Sequence, residues 1–131
     1  MSKHVFIIEN NELLVMMYRS IFQALACGVT HAATLDEALR WLPGLKADLV
    51  ILDARLADGA GMVDGRKLRL TLKSMEVPII ATVSRLSTYE DDAVRNAGYA
   101  AIVTKPFQIS AFSTLVKSYI DRVSPSGSAL Q

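Results

Sequence analysis

The chain has 131 residues, 51% of them hydrophobic, with 14 basic residues against 13 acidic ones and a formal charge of +1. That length suits one domain with a real apolar core, and the near-neutral balance supplies no bulk attraction to nucleic acid or an anionic membrane. No apolar run approaches the roughly 20 residues that a membrane span needs. The stretch after Met1-Ser2-Lys3-His4 is too short for a signal-peptide core, and no small-residue cleavage site follows it. The lone Cys27 cannot form an internal disulfide, which agrees with a reducing cytoplasm, and before Gly28 it reads as a small buried hydrophobe.

In chain order, Val5-Phe6-Ile7-Ile8 reads as a first strand. From Glu12 to Cys27 the residues Leu14, Met17, Ile21 and Leu25 fall on one helical face, and Gly28 is placed to close the helix. Val29 to Ala33 is a weak second strand. Thr34-Leu35-Asp36-Glu37 has the capping-box pattern of a short helix that stops at Pro43-Gly44. Leu49-Val50-Ile51-Leu52 is apolar throughout, as a central strand covered on both faces should be. It runs into Asp53 and the glycine-rich loop Asp58-Gly59-Ala60-Gly61. A basic, leucine-containing helix is predicted from about Val63 to Ser74.

Pro78 opens a fourth strand, Ile79 to Val83, where proline is tolerated as the first residue. Ser87-Thr88-Tyr89-Glu90 starts another helix, ending at Gly98, and Ala101 to Thr104 makes the fifth strand before Lys105-Pro106-Phe107. The last helix carries Phe112, Leu115, Val116, Tyr119, Ile120 and Val123 as one core-facing stripe. Residues 124–131, Ser- and Gly-rich, read as a linker or disordered tail. The alternation is (βα)5, and right-handed crossovers turn such a chain into a doubly wound parallel sheet. Ligands then gather beyond the C-terminal strand ends.

Those strand ends carry the chemistry. Strand one is followed by Glu9-Asn10-Asn11-Glu12, strand three by Asp53, strand four by Ser84-Arg85 and strand five by Lys105. A single Asp at a strand end is ordinary loop chemistry. Two carboxylates converging with a lysine make a site for a hard cation and a phosphoryl group, because oxygen ligands suit Mg²⁺ and an ammonium pairs with phosphate oxygens. An Asp carboxylate can itself be the nucleophile and form an aspartyl-phosphate.

At these residues the chain resembles the receiver domain of bacterial two-component response regulators, over about residues 3 to 123. Glu9, Asp53 and Lys105-Pro106-Phe107 match that family by order, element and spacing, and Gly61 occupies its glycine position in the loop after the acceptor. The opening Glu-Asn-Asn-Glu-Leu is similar to receivers that begin Glu-Asp-Asn-Glu-Leu, among them single-domain regulators of the cell cycle. The resemblance implies a flavodoxin-like sheet in order 2-1-3-4-5, Asp53 as phosphoacceptor and a cis bond before Pro106. It also implies a Mg²⁺ site from Glu9, Asn10, Asp53 and the Arg55 backbone carbonyl.

The chain departs from the pattern in four ways. Asn10 stands where the family has the Asp that binds Mg²⁺ directly, so the metal is expected to be held weakly. The hydroxyl switch position falls on Val83, and the aromatic switch position, three before the lysine, is Ile102. Thr82 and Ser84 are neighbours of Val83, but strand alternation points both to the opposite side. Ala57 replaces the usual proline after the acceptor. Arg55 and Arg85 follow Asp53 and Val83 by two residues, at positions where family members tune phosphoryl lifetime; a solvated surface arginine is the alternative for each.

Two functions of different class follow. In one, the chain is a cytoplasmic receiver that takes a phosphoryl group from a histidine kinase or histidine phosphotransfer protein. It then signals to a downstream protein through the face of helix four, strand five and helix five. In the other, it is a degenerate receiver that binds partners independently of phosphorylation. Metabolic enzymes fit poorly. Glu9-Asn10-Asn11-Glu12 cannot give the close backbone approach of a dinucleotide glycine motif or a flavodoxin phosphate loop. Arg55 stands where a haloacid-dehalogenase-type phosphatase needs a second Asp. The basic run Arg66, Lys67, Arg69 and Lys73 spreads around a helix without aromatic interleaving, so it reads as a solvated face and not a nucleic-acid site.

Overall fold

The computed structural model describes residues 3–55, 68, 76–84 and 98–122. Several predicted features lie outside the described residues: the loop Asp58-Gly61, most of the basic helix, Arg85, the helix from Ser87, Val123 and the tail. The described elements are β1 (His4–Ile8), α1 (Glu12–Ala24), β2 (Gly28–Ala32), α2 (Leu35–Trp41) with a 3-10 turn (Leu42–Gly44), and β3 (Leu49–Asp53). They continue with β4 (Ile79–Ser84), β5 (Ala101–Lys105) and a C-terminal helix (Ile109–Arg122). The five strands pair in parallel in the order β2-β1-β3-β4-β5, as the doubly wound reading requires.

Strand alternation sorts the core into two layers. Phe6, Ile8, Val50 and Leu52 face α2 and meet Leu35, Ala38 and Leu42, with Leu68 also buried there. Val5, Ile7, Leu49, Ile51 and Ile80 face α1 and the C-terminal helix, meeting Tyr18, Phe22, Phe112, Val116 and Ile120. Each large side chain so buried contributes about 1.5–3 kcal/mol. β1 and β3 are covered on both sides, so their all-apolar composition is explained by position.

Helix starts follow the predicted chemistry. Thr34 caps α2, its hydroxyl accepting the Glu37 N–H at 3.1 Å. Glu37 Oε1 reaches back to the Ala33 N–H at 2.9 Å, one residue earlier than a standard capping box. Two expectations for α1 need correction. Its buried residues are Val15, Tyr18, Ile21 and Phe22, while Leu14, Met17 and Leu25 are only partly covered. Leu13 and Met16 are exposed, so the helix is rotated from the face that leucine spacing suggested.

The helix also closes earlier than Gly28. Ala26 takes the left-handed conformation (φ 60°), with Ala26 N–H donating to the Gln23 carbonyl and Cys27 N–H to the Phe22 carbonyl. That is a Schellman closure with alanine where glycine is usual. Gly28 instead begins β2, where an added Cβ would come within 2.7 Å of His4 Nδ1.

Candidate functional site

Parallel pairing carries the C-terminal ends of β1, β3 and β5 to one edge of the sheet. Glu9 follows β1, Asp53 ends β3 and Lys105 ends β5. Lys105 Nζ lies 3.1 Å from Glu9 Oε1 and 3.5 Å from Asp53 Oδ2, so one ammonium bridges both carboxylates. Glu9 is 1% exposed and Asp53 5%, and a buried carboxylate is costly unless it is paired and hydrogen-bonded. Each has a second partner. Glu9 Oε2 accepts the Asn11 N–H at 3.0 Å, and Asp53 Oδ1 accepts the Arg55 N–H at 3.0 Å. Among the described residues, two buried negative charges meet one positive charge at this edge.

The turn after β1 is held from both sides. Asn11 caps α1 through Oδ1, which accepts the Leu14 N–H at 3.1 Å, while its own N–H grips Glu9. His31 Nε2 lies 2.7 Å from the Glu9 carbonyl oxygen, and because a carbonyl only accepts, Nε2 carries the proton. His31 escaped the sequence reading because nothing in a weak edge strand marks one residue as reaching the neighbouring turn. Asn10 is exposed beside this turn, and Arg55 is exposed with its backbone amide turned to Asp53. The Lys105–Pro106 peptide bond is cis.

Hard oxygen donors at the edge are the carboxylates of Glu9 and Asp53, with the Asn10 amide on the adjoining turn. Among the described residues, no group of three or more His, Cys, Asp or Glu side chains is placed to hold a metal. Among the described residues the edge thus offers two charged oxygen donors.

The two faces of β4 differ in character. Val83 and Ile102 share a small aliphatic cluster with Ala54 and Ala81, against Tyr99. Thr82 is the register partner of Asp53 and so points to the α1 side, fully buried. Tyr18 is fully buried on that side too, and neither its hydroxyl nor Thr82 Oγ1 closes a hydrogen bond among the described residues. Burial, most of all, raises the Tyr18 pKa; the negative charges of Glu9 and Asp53 push the same way, and the nearby Thr82 hydroxyl opposes them. The phenol is therefore within electrostatic reach of both acids. Its ring lies 5.3 Å from that of Phe112 and 6.3 Å from that of Phe107, and the latter two stack at 4.7 Å.

The profile of the response regulator receiver domain matches residues 5–117. Among curated proteins, the polar-differentiation response regulator DivK of Brucella ovis is 26% identical over 120 residues, covering 92% of this chain and 98% of DivK. Two solved structures share the fold at low identity. A response regulator from Chloroflexus aurantiacus has a TM-score of 0.81 at 20% identity, covering 93% of this chain and 100% of its own. The receiver domain of a Pseudomonas aeruginosa sensor histidine kinase, with a magnesium ion coordinated in its active-site cleft, has a TM-score of 0.78 at 21% identity. That alignment covers 92% of this chain and 99% of the Pseudomonas domain.

Proposed function

The chain belongs to the response regulator receiver domain family of two-component signalling, and we propose that its signal is a phosphoryl group carried on Asp53. The donor is a histidine kinase or histidine phosphotransfer protein. A carboxylate oxygen of Asp53 attacks the phosphorus of a phosphohistidine; the P–O bond forms as the P–N bond breaks, and the freed imidazole takes up a proton. Lys105, already poised 3.5 Å from Asp53 Oδ2, pairs with the phosphoryl oxygens as charge builds on them. Glu9 holds that ammonium in place from the other side.

Glu9, Asn10, Asp53 and the Arg55 backbone carbonyl would hold Mg²⁺, which when bound neutralises charge on the transferring phosphoryl group. The Pseudomonas neighbour, with magnesium in its cleft, supports this assignment, and the missing third carboxylate makes the affinity low. In this reading the receiver spans residues 3–123 and works in the cytoplasm. No helix among the described residues is long and apolar enough to cross a membrane. Its output surface is that of the helix after β4, β5 and the C-terminal helix, presented to a downstream protein.

The observation that carries the proposal is the Lys105 ammonium bridging Asp53 and Glu9 from three separate strands. A receiver acting without phosphorylation has no use for that arrangement, so the degenerate reading is not favoured. The test is intact mass after incubation with a small-molecule phosphodonor and Mg²⁺. The wild type should gain the mass of one phosphoryl group and Asp53→Asn should gain none. An unmodified wild type, or equal gain in the variant, would defeat the proposal.

A further inference from the structure

Tyr18 and Thr82 bury two hydroxyls on the α1 side of the sheet, Thr82 in register with Asp53, and neither closes a well-formed hydrogen bond among the described residues. Leaving a buried hydroxyl unsatisfied costs about 1–3 kcal/mol. Packing does not require either one, since phenylalanine and valine have the same shapes. Neither position is remote from the site. Thr82 pairs in register with Asp53, and the Tyr18 phenol feels the charges of Glu9 and Asp53. The Tyr18 ring then touches Phe107, which follows Lys105 and Pro106, and Phe112 in the C-terminal helix. One contiguous chain of contacts thus runs from the acceptor carboxylate to the loop after β5 and onward. On the opposite face of β4, Val83 and Ile102 offer no donor at all.

We propose that Tyr18 and Thr82 are the positioning pair through which this receiver senses the phosphoryl group on Asp53. Their hydroxyl protons turn toward the added charge, and the Tyr18 ring passes the displacement through Phe107 and Phe112 into the C-terminal helix. Among the described residues each hydroxyl has at most the other to bond, so turning toward the phosphoryl group gives the pair a charged contact in one state that it lacks in the other. That is the condition for coupling a site to a distant surface. The proposal rests on Asp53 being the acceptor and adds the route by which its charge is read.

The experiment compares backbone amide shifts with and without a beryllofluoride adduct, formed with Mg²⁺, in the wild type, Tyr18→Phe, Thr82→Val and Thr82→Ser. In the wild type, peaks of residues 107–116 move. In Tyr18→Phe and Thr82→Val those movements are lost while peaks beside Asp53 still move, and Thr82→Ser behaves as the wild type does. Thermal unfolding of Tyr18→Phe and Thr82→Val shows a midpoint unchanged or raised. Equal movement at 107–116 in all four proteins overturns the relay alone. A clearly lowered midpoint in the two apolar variants makes the hydroxyls structural and overturns it as well. An unmoved spectrum in the wild type, including the peaks beside Asp53, removes the acceptor reading and the relay together.

Discussion

The two faces of β4 were built to different specifications. The face bearing Ala81 and Val83 is lined by Ala54 and Ile102, with Tyr99 packed against it, and presents no hydroxyl from β4 itself. The face bearing Ile80 and Thr82 combines a ring cluster with two buried hydroxyls that close no well-formed hydrogen bond among the described residues, Thr82 in register with Asp53. A receiver of the usual pattern keeps its hydroxyl and its mobile aromatic on the first of these faces. Here the hydroxyl in register with Asp53 and a three-ring cluster lie together on the second. The edge itself keeps the family's residues, with Lys105 holding Glu9 and Asp53, so the proposed chemistry and the proposed read-out lie on separable features of one fold.

The largest effect should come from the edge that both faces share. Lys105→Met removes the only positive partner that the described residues give Glu9 and Asp53, so phosphoryl uptake should fall on the order of 10²-fold. The same change leaves a nearly fully buried Glu9 charge unpaired and should lower stability by about 3 kcal/mol, measurable by denaturant unfolding. Uptake unchanged from the wild type would detach Lys105 from the chemistry.

A second change rebuilds the aliphatic face. A hydroxyl donating to a charged acceptor is worth about 1.5–3 kcal/mol, and wild-type Val83 has none to give. The wild type should therefore show only small amide shifts in β4 and β5 when the beryllofluoride adduct forms. The double substitution Val83→Thr, Ile102→Tyr should enlarge them. Large wild-type shifts across these strands would erase the contrast between the faces.

Smaller effects sharpen it. Asn10→Asp restores one carboxylate, and Mg²⁺ affinity in a titration should rise on the order of tenfold. Equal affinity in both proteins would place Asn10 away from the metal. Ala26→Gly relieves the left-handed alanine that ends α1 and should stabilise by about 0.5–1 kcal/mol. It lies beyond the end of α1, about two turns from Tyr18, so the adduct-induced shifts should not change. A changed response would mean that the end of α1 takes part in the read-out.

The edge was legible from sequence because handedness and strand order constrain it. Once five apolar runs alternate with helices, the residues following them gather at one sheet edge, and the receiver resemblance singles out Glu9, Asp53 and Lys105 among them. The Thr34 cap was legible for a similar reason, since its signal is local. Tyr18 was not. Helical spacing marked Leu14, Met17 and Leu25, yet Leu13 and Met16 show that α1 carries apolar residues over a wide arc. Which part of that arc faces the sheet is decided by fit against Phe107 and Phe112, many residues away. The end of α1 was misplaced because glycine is the usual left-handed residue, whereas backbone hydrogen bonds from Ala26 and Cys27 close the helix first. Alternation points Thr82 away from the switch side, but it cannot supply the neighbour found there, Tyr18.

Side-chain methyl NMR tests the division between the two faces most directly, because Thr82, Val83 and Ile102 each carry a methyl reporter. When the beryllofluoride adduct forms on Asp53, the Thr82 methyl signal should move strongly while those of Val83 and Ile102 stay close to their starting positions. Strong movement of Val83 and Ile102 with a stationary Thr82 would contradict the assignment and return the switch to the face that the family pattern favours.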